Sequence, residues 1–208
     1  MQVEVFNIQG EKTGRTVELP EEIFGIAPNE HVVYLSVKQY LANQRQGTHK
    51  AKERSEIAGS TRKLHRQKGT GGSRKGDIKN PLYHGGGRIF GPKPRDYRFK
   101  LNKKVRALAR KSALSSKAQN DGIVVVEDFS FEAPKTSVFT GILKALQLDK
   151  QRTLLVTSDY EKEVLQSVRN LPKASVMRAS DLNTYQILHA NKLILSEGAI
   201  EKIKATFA

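Results

Sequence analysis

Ile123-Val124-Val125-Val126 is an uninterrupted apolar run, and three more short runs follow it at Thr153–Thr157, Ser175–Met177 and Leu193–Leu195. Runs of this length and β-branched content read as strands buried on both faces. Between and after them the pattern changes to helical spacing, over Ser137–Leu148, Asp159–Asn170, Asp181–Ala190 and Glu197–Phe207. Ser158 and Glu161 match a capping box at the start of the second of these helices. Strands alternating with helices imply right-handed crossovers and a mainly parallel sheet.

Working outward, residues 2–8 and 15–19 alternate as short strands around Gly10 and Gly14, a hairpin pattern. Over Asn29–Asn43, residues Val32, Val33, Leu35, Val37, Tyr40 and Leu41 recur at spacings of three and four, which predicts a helix. A second helix is predicted from Asn102 to Gln119, with Leu101, Val105, Leu108 and Ala109 on one side. Both helices are expected to pack on the sheet. The fold class that follows is α/β: a Rossmann-like, mainly parallel sheet flanked by helices. One long basic extended loop is inserted between two of those helices. The body is read as residues 1–42 and 101–208, and the loop as 43–100.

Charge divides the chain at nearly the same points. Residues 43–112 hold 21 of the 36 Lys and Arg but 4 of the 21 Asp and Glu (Glu53, Glu56, Asp77 and Asp96), a net +17 against −2 for everything else. Ten of the 16 glycines lie between Asn43 and Lys100, alongside five large aliphatics, Ile57, Leu64, Ile78, Leu82 and Ile89. So few apolar residues cannot offset the ordering entropy of 58 residues, so the segment is expected to order only on a partner. Two arms of 29 residues could reach at most about 95 Å.

A cationic, glycine-rich, varied sequence suits a polyanion. Lys and Arg neutralise phosphates, and glycine lets backbone N–H groups come close. The candidate contacts are Arg45, Lys50, Lys52, Arg54, Lys75, Lys79, Arg88, Lys93, Arg95, Arg98 and Lys100. On the helix that follows, Lys103, Lys104, Arg106, Arg110 and Lys111 share the second face, and no acid occurs from Lys100 to Ser116. His65, Tyr83, His84, Phe90, Tyr97 and Phe99 supply planar groups for stacking on splayed bases. For Tyr83 and Phe90, packing of the loop base is an equal alternative.

Several chemistries are excluded or unsupported. Without cysteine there is no disulfide, thiol nucleophile or cysteine-ligated metal. The five histidines show no metal-ligand spacing. Gly69-Thr70-Gly71 ends in Arg74 rather than the third glycine of a dinucleotide fingerprint, and no strand precedes it. No P-loop and no G-x-S-x-G are present. Glu127 and Asp128 follow a strand, where α/β enzymes can place an acid, but strand-end solvation or helix capping accounts for them. No catalytic residue, metal or cofactor is expected. No 18-residue apolar run occurs, and the N-terminus lacks a basic stretch followed by an apolar one. A cytoplasmic protein with neither membrane nor small-molecule partner is expected.

The chain resembles the universal large-subunit ribosomal protein four, of bacterial type, along essentially its whole length. The matching runs are Asn43-Gln44-Arg45-Gln46-Gly47-Thr48, Arg66-Gln67-Lys68-Gly69-Thr70-Gly71 and Gly85-Gly86-Gly87. Others are Phe90-Gly91-Pro92-Lys93-Pro94-Arg95-Asp96-Tyr97, Lys100-Leu101-Asn102-Lys103-Lys104, Val125-Val126-Glu127-Asp128-Phe129 and Glu132-Ala133-Pro134-Lys135-Thr136. The resemblance implies a structural, rRNA-binding constituent of the large subunit, acting early in assembly. It implies a body on the subunit surface and a loop threaded through rRNA to the constriction of the peptide exit tunnel. There the tip, Arg66, Gln67, Lys68 and Gly69, would face the nascent peptide and a loop of the large-subunit protein twenty-two family. Arg62, Lys63, His65 and Arg74 would contact rRNA. Leu64-His65, Gly72-Ser73 and Tyr83-His84 depart from the family pattern and remove an indole and at least one charge near the tip. Two other readings share the electrostatics: an RNA-directed enzyme, and a free RNA chaperone or assembly factor.

Overall fold

A computed structural model describes residues 1–207. Residues 1–41 and 100–207 form one compact unit, and residues 42–99 a second.

The first unit is built on a six-stranded sheet. Its strands are β1 (Gln2–Phe6), β2 (Lys12–Glu18), β3 (Ile123–Val126), β4 (Thr153–Thr157), β5 (Ala174–Arg178) and β6 (Lys192–Ser196). They lie in the order β2-β1-β3-β6-β4-β5. All pairings are parallel except β1 with β2, the N-terminal hairpin. Gly10 sits in its turn with φ +81°, whereas Gly14 lies within β2.

The helices are α1 (Glu21–Phe24), α2 (Glu30–Asn43), α3 (Lys103–Gln119), α4 (Thr136–Ala145), α5 (Lys162–Val168), α6 (Thr184–His189) and α7 (Glu197–Ala205). The sheet separates two apolar layers, and the two-residue period of the strands assigns side chains to each. Val125, Leu154, Val156, Leu193 and Leu195 meet α1, α3 and α7 on one face through Phe24, Leu114, Ala118 and Ile203. Val126, Leu155 and Ile194 meet α4 and α5 on the other through Phe139, Leu143, Val164 and Val168.

Three expectations are corrected. Helix α5 begins at Lys162, with Glu161 as its N-cap and no side-chain capping bond. The capping box does not form, since Ser158 lies before the helix, in a bend where the Asp159 carbonyl accepts from Thr157 Oγ1 at 2.8 Å and its carboxylate pairs with Lys202 at 2.5 Å. Helix α2 has no buried residue and lies outside the sheet layer against α6, where Tyr40 stacks on Tyr185 (4.6 Å) and Ser36 bonds Thr184 (3.1 Å). On α3 the buried stripe runs through Ala109, Ser112, Ala113, Leu114, Ser115 and Ala118, leaving Leu108 exposed. Two serines belong to that stripe because they serve backbone. Ser115 Oγ donates to the Ile23 carbonyl and accepts from Ile26 N–H, and Ser112 Oγ accepts from Asn29 N–H.

The C-terminal ends of the parallel strands, where α/β enzymes hold their chemistry, are occupied by structural contacts. Asp128 caps α7, accepting from Gly198 N–H at 3.1 and 3.2 Å. Glu127 and Glu197 both pair with Arg15, at 3.3 and 3.5 Å. Glu161 has a buried, unpartnered Oε2. Burial pushes its carboxyl above the usual carboxylate range, and Asp128, Glu163 and Asp159 add to this. A raised folded-state pKa means that the stability it contributes is complete below the unfolded value and lost as pH rises through the folded one. Glu161→Gln is therefore expected to raise the melting temperature at pH 7. The gain should vanish in acid, where the wild-type carboxyl is protonated; calorimetry across that pH range checks it.

Candidate nucleic-acid interface

Between Asn43 and Lys103 the chain forms neither helix nor strand, yet residues 42–99 are internally connected. An outgoing arm and a return arm run antiparallel. Arg95 N–H donates to the Gly47 carbonyl (3.2 Å), Ala51 to Pro92 (3.1 Å) and Arg88 to Lys52 (3.0 Å). Farther out, Gly87 donates to Lys79 and Leu64 to Gly76. Close backbone approach and ion pairs take the place of an apolar core.

Glycine makes the approach possible at two decisive positions. Gly47 has φ +65°, and a Cβ there would stand 2.1 Å from the Arg95 carbonyl oxygen. At Gly87 a Cβ would lie 2.4 Å from Arg54 N and 2.5 Å from its Cα. Gly69, Gly71, Gly72 and Gly85 instead face open space. Gly87→Ala should force the arms apart. The expected result is faster amide exchange at Arg88 and Ala51, with exchange in β3 and β6 unchanged.

The four carboxylates of the segment are all paired. Glu56 accepts from Lys50, which holds its carboxyl below the usual range. Glu53 accepts from Lys93, which raises the lysine. Asp77 pairs with Arg54 at 2.9 Å and Asp96 with Arg98 at 4.0 Å. Arg45 and Arg95 lie over the Tyr97 ring at 3.7 and 4.5 Å, and the Tyr97 hydroxyl meets His49 Nε2 at 3.1 Å. Tyr97 is therefore a clamp between arms and no open platform for a base. Six of the predicted contacts, Arg45, Lys50, Arg54, Lys93, Arg95 and Arg98, also hold the segment together.

A different set remains open. Arg62, Lys63, Arg66, Lys68, Arg74 and Lys75 are exposed, and among the described residues none has a carboxylate at ion-pair distance. Lys63 Nζ donates to Gln67 Oε1, and Lys75 lies 5.7 Å from the Tyr83 ring. Arg54, Lys63, Arg74 and Lys75 line an open pocket of about 440 Å³. His65 stands in this stretch with Nδ1 buried and unpartnered. Lys52, Lys79, His84 and Arg88 are also open, except that Lys79 is half-buried. The two readings of Tyr83 and Phe90 separate: Tyr83 is half-buried, and Phe90 is fully exposed.

In the first unit, Lys100, Lys103, Lys104 and Arg106 are exposed. Lys103 and Lys104 open α3 with no acid in its first turn. Cations there oppose the helix dipole, by about 0.3–1 kcal/mol each, so the placement disfavours the helix unless an anion binds. Arg110 is different: it donates to the Leu182 carbonyl at 3.4 Å and lies 4.5 Å over Phe207, where Lys111 also packs. Burial lowers its pKa. Helix periodicity places it with the exposed cations because Phe207 is about a hundred residues away in sequence. The Tyr97 clamp is equally invisible there, since nothing local pairs Arg45 with residue 97.

Among the described residues, no group of three or more His, Cys, Asp or Glu is placed to hold a metal ion, and no helix is long and apolar enough to cross a membrane.

A three-layer α/β body joined to a glycine-rich segment that presents exposed cations defines a basic α/β protein. Residues 17–206 match the model of the ribosomal protein L4/L1 family. The chain is 61% identical to the large ribosomal subunit protein uL4 of Parabacteroides distasonis, over all of this chain and 99% of that one. It is 60% identical to that of Bacteroides fragilis and 59% to that of Flavobacterium psychrophilum, over 98% of each chain in both cases. The chain belongs to the ribosomal protein L4/L1 family, whose members are structural proteins rather than enzymes.

Proposed function

We propose that this protein is a structural constituent of the large ribosomal subunit in the cytoplasm and binds large-subunit rRNA early in assembly. Residues 43–100 and the exposed start of α3 make the RNA contacts, while the body seats on the subunit surface among neighbouring ribosomal proteins. The tip, Arg66 to Gly69, lines the constriction of the peptide exit tunnel opposite a loop of the large-subunit protein twenty-two family. The observation that carries this reading is the run of six exposed, acid-free cations from Arg62 to Lys75. Family membership supplies the particle.

Neutralising Arg62, Lys63, Arg74 and Lys75 together to Gln tests it, with rRNA affinity measured across a salt series. Every phosphate that loses its cation should flatten the log–log salt slope by about 0.7–0.9. The expected change is thus about 3 for the quadruple variant, with no change in melting temperature. An unchanged slope would remove these residues from the interface. A wild-type protein that exchanges freely off assembled subunits would favour the chaperone reading instead.

A further inference from the structure

Phe90 combines two features that folding alone does not explain. Its backbone lies in the left-handed region, φ +53°, where side chains other than glycine are strained. Its ring is fully exposed, beside an Ile89 that is more than half exposed. Strain is tolerated where surroundings or function require it, and here the ring gains no buried contact in return. Gly91 follows, and a Cβ on it would stand 2.6 Å from the Ala51 side chain. The arm contact at Gly91 therefore constrains the backbone that turns Phe90 outward.

The ring edges an open pocket of about 910 Å³, ample for a nucleobase. Its lining combines the apolar Pro81, Ile89 and Phe90 with the cationic Arg54, Lys79, Arg88 and Lys93. Its two carboxylates, Glu53 and Asp77, are already neutralised by Lys93 and Arg54. Among the described residues Lys79 and Arg88 have no carboxylate at ion-pair distance. An aromatic face beside free cations and neutralised acids suits an unpaired base whose phosphates reach the cations. An apolar protein partner would leave those cations desolvated and unpaired.

We propose that Phe90 is the stacking platform for one extruded nucleobase of the rRNA, with Lys79 and Arg88 on its flanking phosphates. This rests on the rRNA-binding reading above.

The test measures binding of the full chain to a large-subunit rRNA transcript at fixed salt, with chemical probing of the bound RNA. Phe90→Ala and Phe90→Leu should each lose about 5- to 150-fold in affinity. Phe90→Tyr and Phe90→Trp should stay within about 2-fold, since any π-face stacks. One nucleotide protected by the wild type should become reactive with the alanine variant. Phe90→Gly separates function from structure: it relieves the positive φ, so melting temperature holds or rises while affinity falls as for alanine. If leucine restores binding as well as tyrosine, the contact is merely apolar and the proposal fails. Full affinity of the alanine and glycine variants also overturns it while leaving the rRNA reading intact. Wild-type protein that does not bind the transcript overturns the rRNA reading and this inference together.

Discussion

Excision of residues 50–95, closed by a short Gly-Ser linker, is expected to leave a cooperatively folding body with rRNA affinity reduced by about 10³-fold or more. The structural half of this expectation rests on where the core lies: no residue between Phe24 and Ala109 is a buried hydrophobic. Closure is feasible because Arg95 N–H bonds the Gly47 carbonyl at 3.2 Å, so the cut ends are already neighbours. The binding half rests on the cations removed, among them the acid-free run from Arg62 to Lys75. Their loss takes the protein from specific toward non-specific binding, a gap of about 10³ or more in nucleic-acid systems. The salt slope should flatten by about 4, six phosphates, those held by Arg62, Lys63, Arg74, Lys75, Lys79 and Arg88, at about 0.7 each for single strands. Exposed cations at Lys100, Lys103, Lys104 and Arg106 remain, so residual salt-sensitive binding should persist. Thermal melting and a salt series on the excised protein check both halves. A body that no longer melts cooperatively would show that the segment contributes to its core.

What is legible in the sequence is what one or two neighbouring residues determine. The strands β3, β4 and β6 are readable because central parallel strands are apolar on both faces, so Ile123–Val126 needs no partner to be recognised. The concentration of charge is readable because it is a count. Features set by distant residues are not. Helix α1, four residues from Glu21 to Phe24, carries no periodic pattern. Helix α2 shows apolar spacing, but that pattern does not say whether its neighbour is the sheet or, as found, Tyr185 of α6. The same limit explains the site. Each of the segment's carboxylates selects a cation, and three of the four lie six, 23 and 40 residues away. The sequence count treats all cations alike, whereas the structure sorts them into those that hold the arms and those left for a partner. The Ser158 and Glu161 pair shows that even a local motif depends on where the helix starts, since α5 begins at Lys162 with Glu161 itself as N-cap.

The second large effect is expected from Leu193→Ala. Leu193 has no exposed surface and lies on β6, with β3 and β4 hydrogen-bonded on either side. Its side chain belongs to the layer shared with α3 and α7. Truncation leaves a cavity unless the site collapses, and strands paired on both edges with a helical layer above restrict that collapse. The expected loss is therefore about 2–5 kcal/mol, a large fraction of the roughly 5–15 kcal/mol typical of a domain. At about 2–4 °C per kcal/mol for a chain of this size, melting should fall by roughly 5–15 °C. Leu82→Ala is the matched control. Leu82 is 89% exposed in the basic segment, so its truncation should stay within about 0.5 kcal/mol. Below the melting transition, Leu193→Ala should bind rRNA with wild-type affinity and salt slope, because none of the open cations lies in this layer. Together with the excision, this separates two energies that a single basic globule would couple: buried apolar surface in the sheet sets stability, and unpaired charge on the segment sets affinity. A Leu82→Ala protein as destabilised as Leu193→Ala would contradict that separation, since it would place part of the core among residues 42–99.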